Sequence, residues 1–468
     1  MKAATIVSIL PKFPLIVKTI IRHVLRISEQ SKYWDLRTAV TVRILFSFIN
    51  ESPPTTISKS QSASLVDDGV KKNMWVSKIV LPKPPEDNVR QVLFSIFEKL
   101  KEPGEALGGY REPNLLPVEA EWIGNRPKEK LDSPEPNISE EKKYLEMMRH
   151  VVSKTTILYF HGGAYYLMDP STHRHVTRRL AELTTGRCLS VRYRLAPQNP
   201  FPAALLDGLI AYLSLLYPLP ESLHSPVSPG DIVFSGDSAG GNLCFALLQF
   251  ILEIQRQSLK ITWNGEEREV PMPAGVACSS PWLDITSCMP SIKTNQKYDY
   301  LPIREIDHPA CSIWPADPPR RKLFADDKLL THPLVSPMIA KNWENSCPIY
   351  MSTGWELLAD EIKQVAAKMA QQGVKVVYED YEAMPHCFGL LLTKLPATKK
   401  YFEAWAHNIT LMIDNPQDIV ASGQIITAKT LKKKPIELSD LRLFTDEEVR
   451  ERMQKVVKEI EPHITPRL

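Results

Sequence analysis

From residue 154 onward, short β-branched and aromatic runs alternate with helix-compatible segments, and no other feature constrains the fold of this chain as much. The runs are Thr156–Phe160, Cys188–Tyr193, Ile232–Ser235, Gly275–Cys278, Pro348–Ser352 and Val374–Tyr378. Segments of helical character, 171–185, 202–217, 239–256 and 360–372, separate most of them. Strands that alternate with helices build a mostly parallel sheet covered on both faces. The expected class is therefore α/β, with a central sheet flanked by helices. Hydrophobic residues make up 43% and charged residues 24%, enough apolar material for a sizeable core. That balance excludes a disordered, collagen-like or coiled-coil chain. With 57 basic and 54 acidic side chains the net charge is +3, which leaves no electrostatic footprint for nucleic acid.

Outside the alternation the pattern is looser. Residues 1–70 are read as an N-terminal helical region, with a helix over Asp35–Phe48 and a Ser/Thr/Pro-rich loop over 51–66. Residues 71–415 form the expected main domain. It takes in a strand over Met74–Leu81, a helix over 87–100, a second strand over Val118–Ile123 and an exposed, charged insertion over 126–142. The proline-rich interval 284–345 is expected to form a cap over the carboxyl edge of the sheet together with the N-terminal region. Residues 416–468 are read as an extension with a solvated basic run at Lys432–Lys434. It ends in a helix over 446–460, opened by the capping box Thr445/Glu448.

Residues 5–27 are apolar, but prolines and Lys12, Lys18, Arg22, His23 and Arg26 interrupt them. A spanning helix needs about 20 predominantly apolar residues. Neither a clean signal-peptide core nor a small-residue cleavage site stands out. Three readings stay open: a helix packed on its own domain, a basic amphipathic helix on a membrane surface, or an anchor. The seven cysteines form no C-x-x-C pair and several sit in apolar runs, so reduced thiols are expected. The expected location is intracellular, cytoplasmic or at an internal membrane.

The chemistry is concentrated in two glycine-bearing turns. Gly236-Asp237-Ser238-Ala239-Gly240 follows an apolar strand and opens a helix-compatible run. This is the G-x-S-x-G elbow in its strand–turn–helix setting, with Ser238 as candidate nucleophile. The alternative is a serine in an ordinary strand-to-helix turn. Upstream, His161-Gly162-Gly163-Ala164 ends another strand, where small residues let backbone amides approach an oxyanion. The candidate donors are the amides of Gly162, Gly163, Ala164 and Ala239. His161 is expected to brace that loop. His173 and His175 project to different sides of a helix, so no metal site is expected.

The chain resembles the hormone-sensitive-lipase-like branch of the α/β-hydrolase fold, most of all its fungal members. The matching pieces are HGGA at 161–164, YRLAP at 193–197, FPAALLD at 201–207, GDSAGGN at 236–242, SPWLDIT at 280–286, GWELLADE at 354–361 and MPHCFG at 384–389. They spread over residues 157–390, about half the chain. The resemblance implies an α/β-hydrolase fold with a helical cap and the chain order nucleophile, acid, base. It points to His386 as base and to Glu356 as acid, where the family usually has aspartate. Asp360 is the alternative acid, and Asp237 is given a structural role.

The activity implied is hydrolysis of a small hydrophobic carboxylic ester, of short to medium acyl chain or an acetyl ester, without metal or organic cofactor. Two rivals remain at this level. The same triad hydrolyses amides, lactones or carbon–carbon bonds in other settings, and a non-catalytic small-ligand receptor uses the same fold without the histidine. Trp282 and Trp355 are expected either in the aromatic core or lining a lipophilic pocket.

Overall fold

The structure, a computed structural model, describes residues 10–71, 73–101, 110–127 and 134–460. Part of the 5–27 stretch and part of the 126–142 insertion therefore lie outside the described residues. Three helices come first: α1 (Phe13–Val24), α2 (Leu36–Asn50) and α3 (Ile57–Ser64). The third replaces half of the loop expected over 51–66; the Thr56 side chain caps it by accepting from the Lys59 amide. Strands β1 (Met74–Leu81) and β2 (Val118–Asn125) flank α4 (Asn88–Lys99), and α5 (Glu140–Met148) follows.

The alternation then sets in: β3 (Thr156–Phe160), α6 (Pro170–Thr184), β4 (Arg187–Arg192), α7 (Ala203–Leu216), β5 (Ile232–Asp237) and α8 (Ala239–Arg256). A hairpin of β6 (Ile261–Trp263) and β7 (Glu266–Arg268) leads to β8 (Gly275–Ser279). The interval before β9 (Ile349–Gly354) holds one short α-helix, α9 (Ser291–Thr294), and 3-10 turns. The interval is thus largely irregular, and of the two regions expected to build the cap it is the N-terminal one that carries the longer helices; the prolines of the interval deny the backbone donors that a helix needs. The chain closes with α10 (Ala359–Gln371), β10 (Val376–Tyr381), α11 (Phe388–Leu391), α12 (Pro396–Asp414), β11 (Ser422–Ile426), β12 (Lys433–Ile436) and α13 (Asp446–Ile460).

Ten strands form one sheet in the order β1-β2-β4-β3-β5-β8-β9-β10-β11-β12. The pairs from β4 through β11 are parallel; β1/β2, β2/β4 and β11/β12 are antiparallel. The sheet does not stop at residue 415, as the expected domain boundary would have it. β11 pairs in parallel with β10, with Val377 opposite Ser422. The basic run at 432–434 falls on the edge strand β12 and its approach, not on a free loop, and Lys433 Nζ reaches Glu379 at 3.1 Å.

Every residue of β3 and of β5 is buried, as parallel strands covered on both faces should be. Ile232 and Phe234 join the core on one side, and Val233 the core on the other. Helices α7 and α8 cover the first face, while α12 packs on the second through Trp405, whose indole donates to the Ala277 carbonyl. The terminal helix α13 packs on α10: Lys368 pairs with Asp446, and Gln364 bonds the backbone of Leu443 and Phe444. All seven cysteines are unbridged.

The strand order reverses beside β3. The crossover from β3 leads to β4 on one side, and β5 then returns to its other side. Ligand crevices in open α/β sheets lie at the carboxyl ends of strands at such a reversal. The 161–164 turn and the 236–240 elbow occupy those two strand ends.

Candidate active site

Ser238 has φ 52° and ψ −119°, a conformation that costs a side-chain-bearing residue strain and persists only when its surroundings enforce it. Here the neighbouring glycines permit the turn. A Cβ on Gly240 would stand 1.9 Å from the Phe160 carbonyl oxygen, and one on Gly236 2.6 Å from the same atom. The Ser238 amide donates to the Ser279 carbonyl, and its carbonyl accepts from the amides of Asn242 and Trp282. The first turn of α8 and the stretch that ends β8 thus hold the elbow together.

The 161–164 turn is tied to the same elbow through Asp237. Its buried carboxylate accepts from the Tyr159 hydroxyl at 2.6 Å and the Gly162 amide at 3.2 Å, with His173 Nε2 3.4 Å away. The Gly162 amide is therefore committed to Asp237, which removes it from the candidate oxyanion donors. Among the described residues the amides of Gly163, Ala164 and Ala239 meet no protein acceptor. Ala164 borders the same cavity as Ser238, and Ala239 opens α8, whose N-terminus favours negative charge. His161 stacks on Tyr193 at 4.4 Å, and its Nδ1 lies 2.7 Å from the Gly162 carbonyl. Burial, with the charge of nearby His173, pulls its pKa down to about 4.

Glu356 and His386 meet. Glu356 Oε2 is hydrogen-bonded to His386 Nδ1, and both side chains are buried. The other carboxylate oxygen accepts from Ser280 Oγ at 2.6 Å, Thr353 Oγ1 at 2.7 Å and the Gly354 amide at 3.2 Å. Burial opposes ionisation of Glu356, but the His386 charge and these donors outweigh it and hold the carboxyl below its usual range. The imidazole moves the other way. Burial disfavours its charged form, while charge on Cys387 and on Glu356 favours it, and the net pKa stands well above the usual histidine value. Burial pushes the Cys387 thiol itself up to about 11, so at neutral pH Glu356 is the charge acting on the ring. Asp360 does not face the imidazole. It accepts from the Ser291 amide at 2.8 Å in the first turn of α10.

The remaining ring nitrogen, Nε2, faces the Cys387 thiol at 3.4 Å. That sulfur is also 4.0 Å from Asp237 Oδ2, so it stands between the base and the residue preceding Ser238. Ser238 Oγ makes no hydrogen bond among the described residues. Such contacts often close only around substrate.

Four positions escaped the sequence reading. Ser280 and Thr353 hold the acid, and Cys387 occupies a left-handed position (φ 47°) beside the base. Asp299 is the fourth. One of its oxygens accepts from the Leu357 amide and the other from the His386 amide, which clamps the acid-bearing loop to the base-bearing loop. No periodicity marks Asp299, because it lies in the irregular cap interval. Ser280 and Cys387 do sit inside quoted motifs.

Ser238 opens into a cavity of about 360 Å³. Tyr166, Trp282, Ile285, Leu301, Trp314 and Phe324 belong to its apolar wall, and Arg304, Glu305, Arg321 and Lys322 to its polar side. Trp282 lines it as one of the two readings had it. Trp355 instead packs between Tyr33 and Tyr298. The N-terminal helices reach the same wall: Asn50 bonds the backbone of Tyr300, Leu301 and Ile303.

A buried carboxylate–imidazole pair beside a serine on a strained elbow, with backbone amides at a helix N-terminus, is the equipment of a serine hydrolase on an α/β-hydrolase sheet. Comparison with known proteins agrees. Residues 157–390 match the alpha/beta hydrolase fold family. An acetyl-hydrolase of Streptomyces hygroscopicus is 28% identical over 249 residues, covering 53% of this chain and 73% of its own. An esterase of Acinetobacter venetianus is 31% identical over 245 residues, covering 52% and 71%. An esterase structure from the bacterial hormone-sensitive lipase family aligns over 80% of this chain and 98% of its own, with TM-score 0.50 and 21% identity. The chain belongs to the alpha/beta hydrolase fold family, and the relatives it matches include esterases, lipases and acetyl-hydrolases, enzymes of the carboxylic ester hydrolase class.

Proposed function

We propose that this protein hydrolyses carboxylic esters of small hydrophobic substrates through an acyl-enzyme on Ser238, with His386 as base and Glu356 as its partner. The observation that carries this reading is the placement of Ser238 at an apolar cavity, next to the loop where Glu356 bonds His386. In the reaction, Ser238 Oγ attacks the ester carbonyl as Nε2 of His386 takes its proton. Glu356 holds the Nδ1–H tautomer and stabilises the imidazolium. The amides of Gly163, Ala164 and Ala239 receive the oxyanion. The imidazolium then protonates the departing alcohol. Water adds to the acyl-enzyme with its proton passing to Nε2, and collapse returns Ser238 and releases the acid.

The cavity volume lies toward the lower end of small-molecule pockets, about 300–1,000 Å³. That size supports esters of short to medium acyl chain or acetyl esters over long-chain ones. The described N-terminal residues 10–70 and the interval 284–345 serve as a two-part cap, a reading supported by the Asn50 contacts with the cavity wall. Among the described residues no helix is long and apolar enough to cross a membrane.

The test is turnover of p-nitrophenyl esters of graded acyl length. The reading expects activity that falls as the chain lengthens and vanishes in Ser238→Ala with the fold intact. Full activity in Ser238→Ala would overturn it, as would hydrolysis of lactones or amides with no ester turnover.

A further inference from the structure

We propose that α1 is a docking helix for an anionic phospholipid surface. None of its twelve residues is buried. Leu10, Phe13, Val17, Ile21 and Val24 recur at three- and four-residue spacing, so they share one side of the helix. All five point outward: Phe13 is 63% exposed, Ile21 51% and Val24 64%, and Leu25 and Ile27 continue the patch beyond the helix end. The half-buried Leu15, Ile16 and Ile20 turn toward the protein along the margin of that stripe, where α1 packs on α2 and Lys12 Nζ reaches the Ser47 carbonyl at 3.3 Å. The helix thus spends its smaller apolar side on its own protein and leaves the larger one to something else.

Charge identifies that partner. The sequence holds no Asp or Glu before Glu29, while Lys12, Lys18, Arg22 and Arg26 fall within or beside the helix. Lys18 and Arg22 are exposed, form one row at i and i+4 beside the apolar stripe, and make no ion pair among the described residues. An apolar stripe flanked by cations suits an interface whose interior is hydrocarbon and whose surface is negative. At twelve residues, α1 lies in such an interface and does not span it. The helix also adjoins the active-site wall. Its first turn packs at the C-terminal end of α2, and Asn50 at that end holds Leu301 and Ile303, two cavity residues. The docked face therefore places the cavity next to the lipid phase, the natural reservoir of hydrophobic esters.

Docking stands apart from catalysis, and the experiment keeps them separate. Full-length protein is sedimented with phosphatidylcholine vesicles, with or without phosphatidylserine, while hydrolysis of a water-soluble p-nitrophenyl ester is followed in parallel. The protein is expected to sediment with the serine-containing vesicles and to be released by salt. Both a Phe13→Ser/Ile21→Ser/Val24→Ser variant and a Lys18→Glu/Arg22→Glu variant are expected to lose binding by about tenfold or more. Neither alters turnover of the soluble ester, and Ser238→Ala binds like the parent. No sedimentation with either vesicle overturns the proposal, and so does binding that both variants retain. A concentration-dependent dimer in lipid-free solution, abolished by the apolar variant, would assign the face to a second copy and overturn it as well.

Discussion

The Cys387 thiol stands 3.4 Å from Nε2 of His386, on the ring nitrogen that Ser238 has to reach. The resting imidazole is thereby satisfied at both ends, by Glu356 at Nδ1 and by sulfur at Nε2. For proton transfer the thiol has to yield its place to the serine hydroxyl. A hydrogen bond of this kind is worth about 1 kcal/mol, so removing it is expected to raise kcat/KM severalfold, up to about tenfold. Glycine suits the left-handed backbone at φ 47°, so Cys387→Gly is the variant to measure. A fall in kcat/KM with the fold preserved would show that the sulfur supports the base instead of competing for it.

Glu356 fixes the tautomer of His386, whereas Asp360 is bound to Ser291. Glu356→Gln is expected to lower kcat by about 10³–10⁴. Asp360→Asn is expected to stay within about twofold, as a change away from the reacting groups should. Steady-state kinetics on one ester decides between them, and the reverse ranking would move the acid to Asp360.

The pH dependence follows from the same pair. The base works only when neutral, and the burial of His386 is outweighed by the Glu356 carboxylate, the charge that acts on the ring while the Cys387 thiol stays protonated, so the His386 pKa stands well above its usual value. The rate should therefore climb as pH rises through that elevated pKa, with its midpoint above the about 6.5 of a free histidine. Glu356→Gln removes a stabilising charge from the imidazolium, so the residual activity should show a midpoint at lower pH. A pH profile of kcat/KM reads both, and an unchanged midpoint would contradict the electrostatic account.

Asp299 ties the Leu357 and His386 amides together through one carboxylate. An amide side chain offers one acceptor oxygen in place of two and turns its NH₂ toward a backbone donor. Asp299→Asn is expected to destabilise the protein by about 1–3 kcal/mol, measured as a shift in urea midpoint. It should also lower kcat, since the loop that bears the base loses its tie to the loop that bears the acid. A stability and kcat equal to the parent's would remove the clamp from the account.

Local chemistry carried the legible part of the molecule. The alternating runs predict β3, β4, β5, β8, β9 and β10 because parallel strands buried on both faces need continuous apolar stretches. The elbow at Ser238 is readable because only glycine fits where Gly236 and Gly240 meet the Phe160 carbonyl. Edge strand β12 hides for the opposite reason. Its sequence, Lys-Lys-Pro-Ile, carries the charges and proline that protect an unpaired edge, and those same residues read as loop. Gly162 looked like an oxyanion donor because its spacing matches its neighbours', yet its amide is taken by Asp237, a contact across 75 residues. Asp299 is silent in sequence, since a carboxylate in an irregular interval has no period to betray its burial.

The central claim is that Ser238 is the nucleophile and that His386 activates it. The direct measurement is labelling with a fluorophosphonate, followed by peptide mapping of the parent protein and of His386→Ala. The account predicts one adduct, on the peptide bearing Ser238, and labelling slowed by orders of magnitude without the imidazole. An adduct on another residue with Ser238 unmodified, or equal labelling rates in the two proteins, would contradict it.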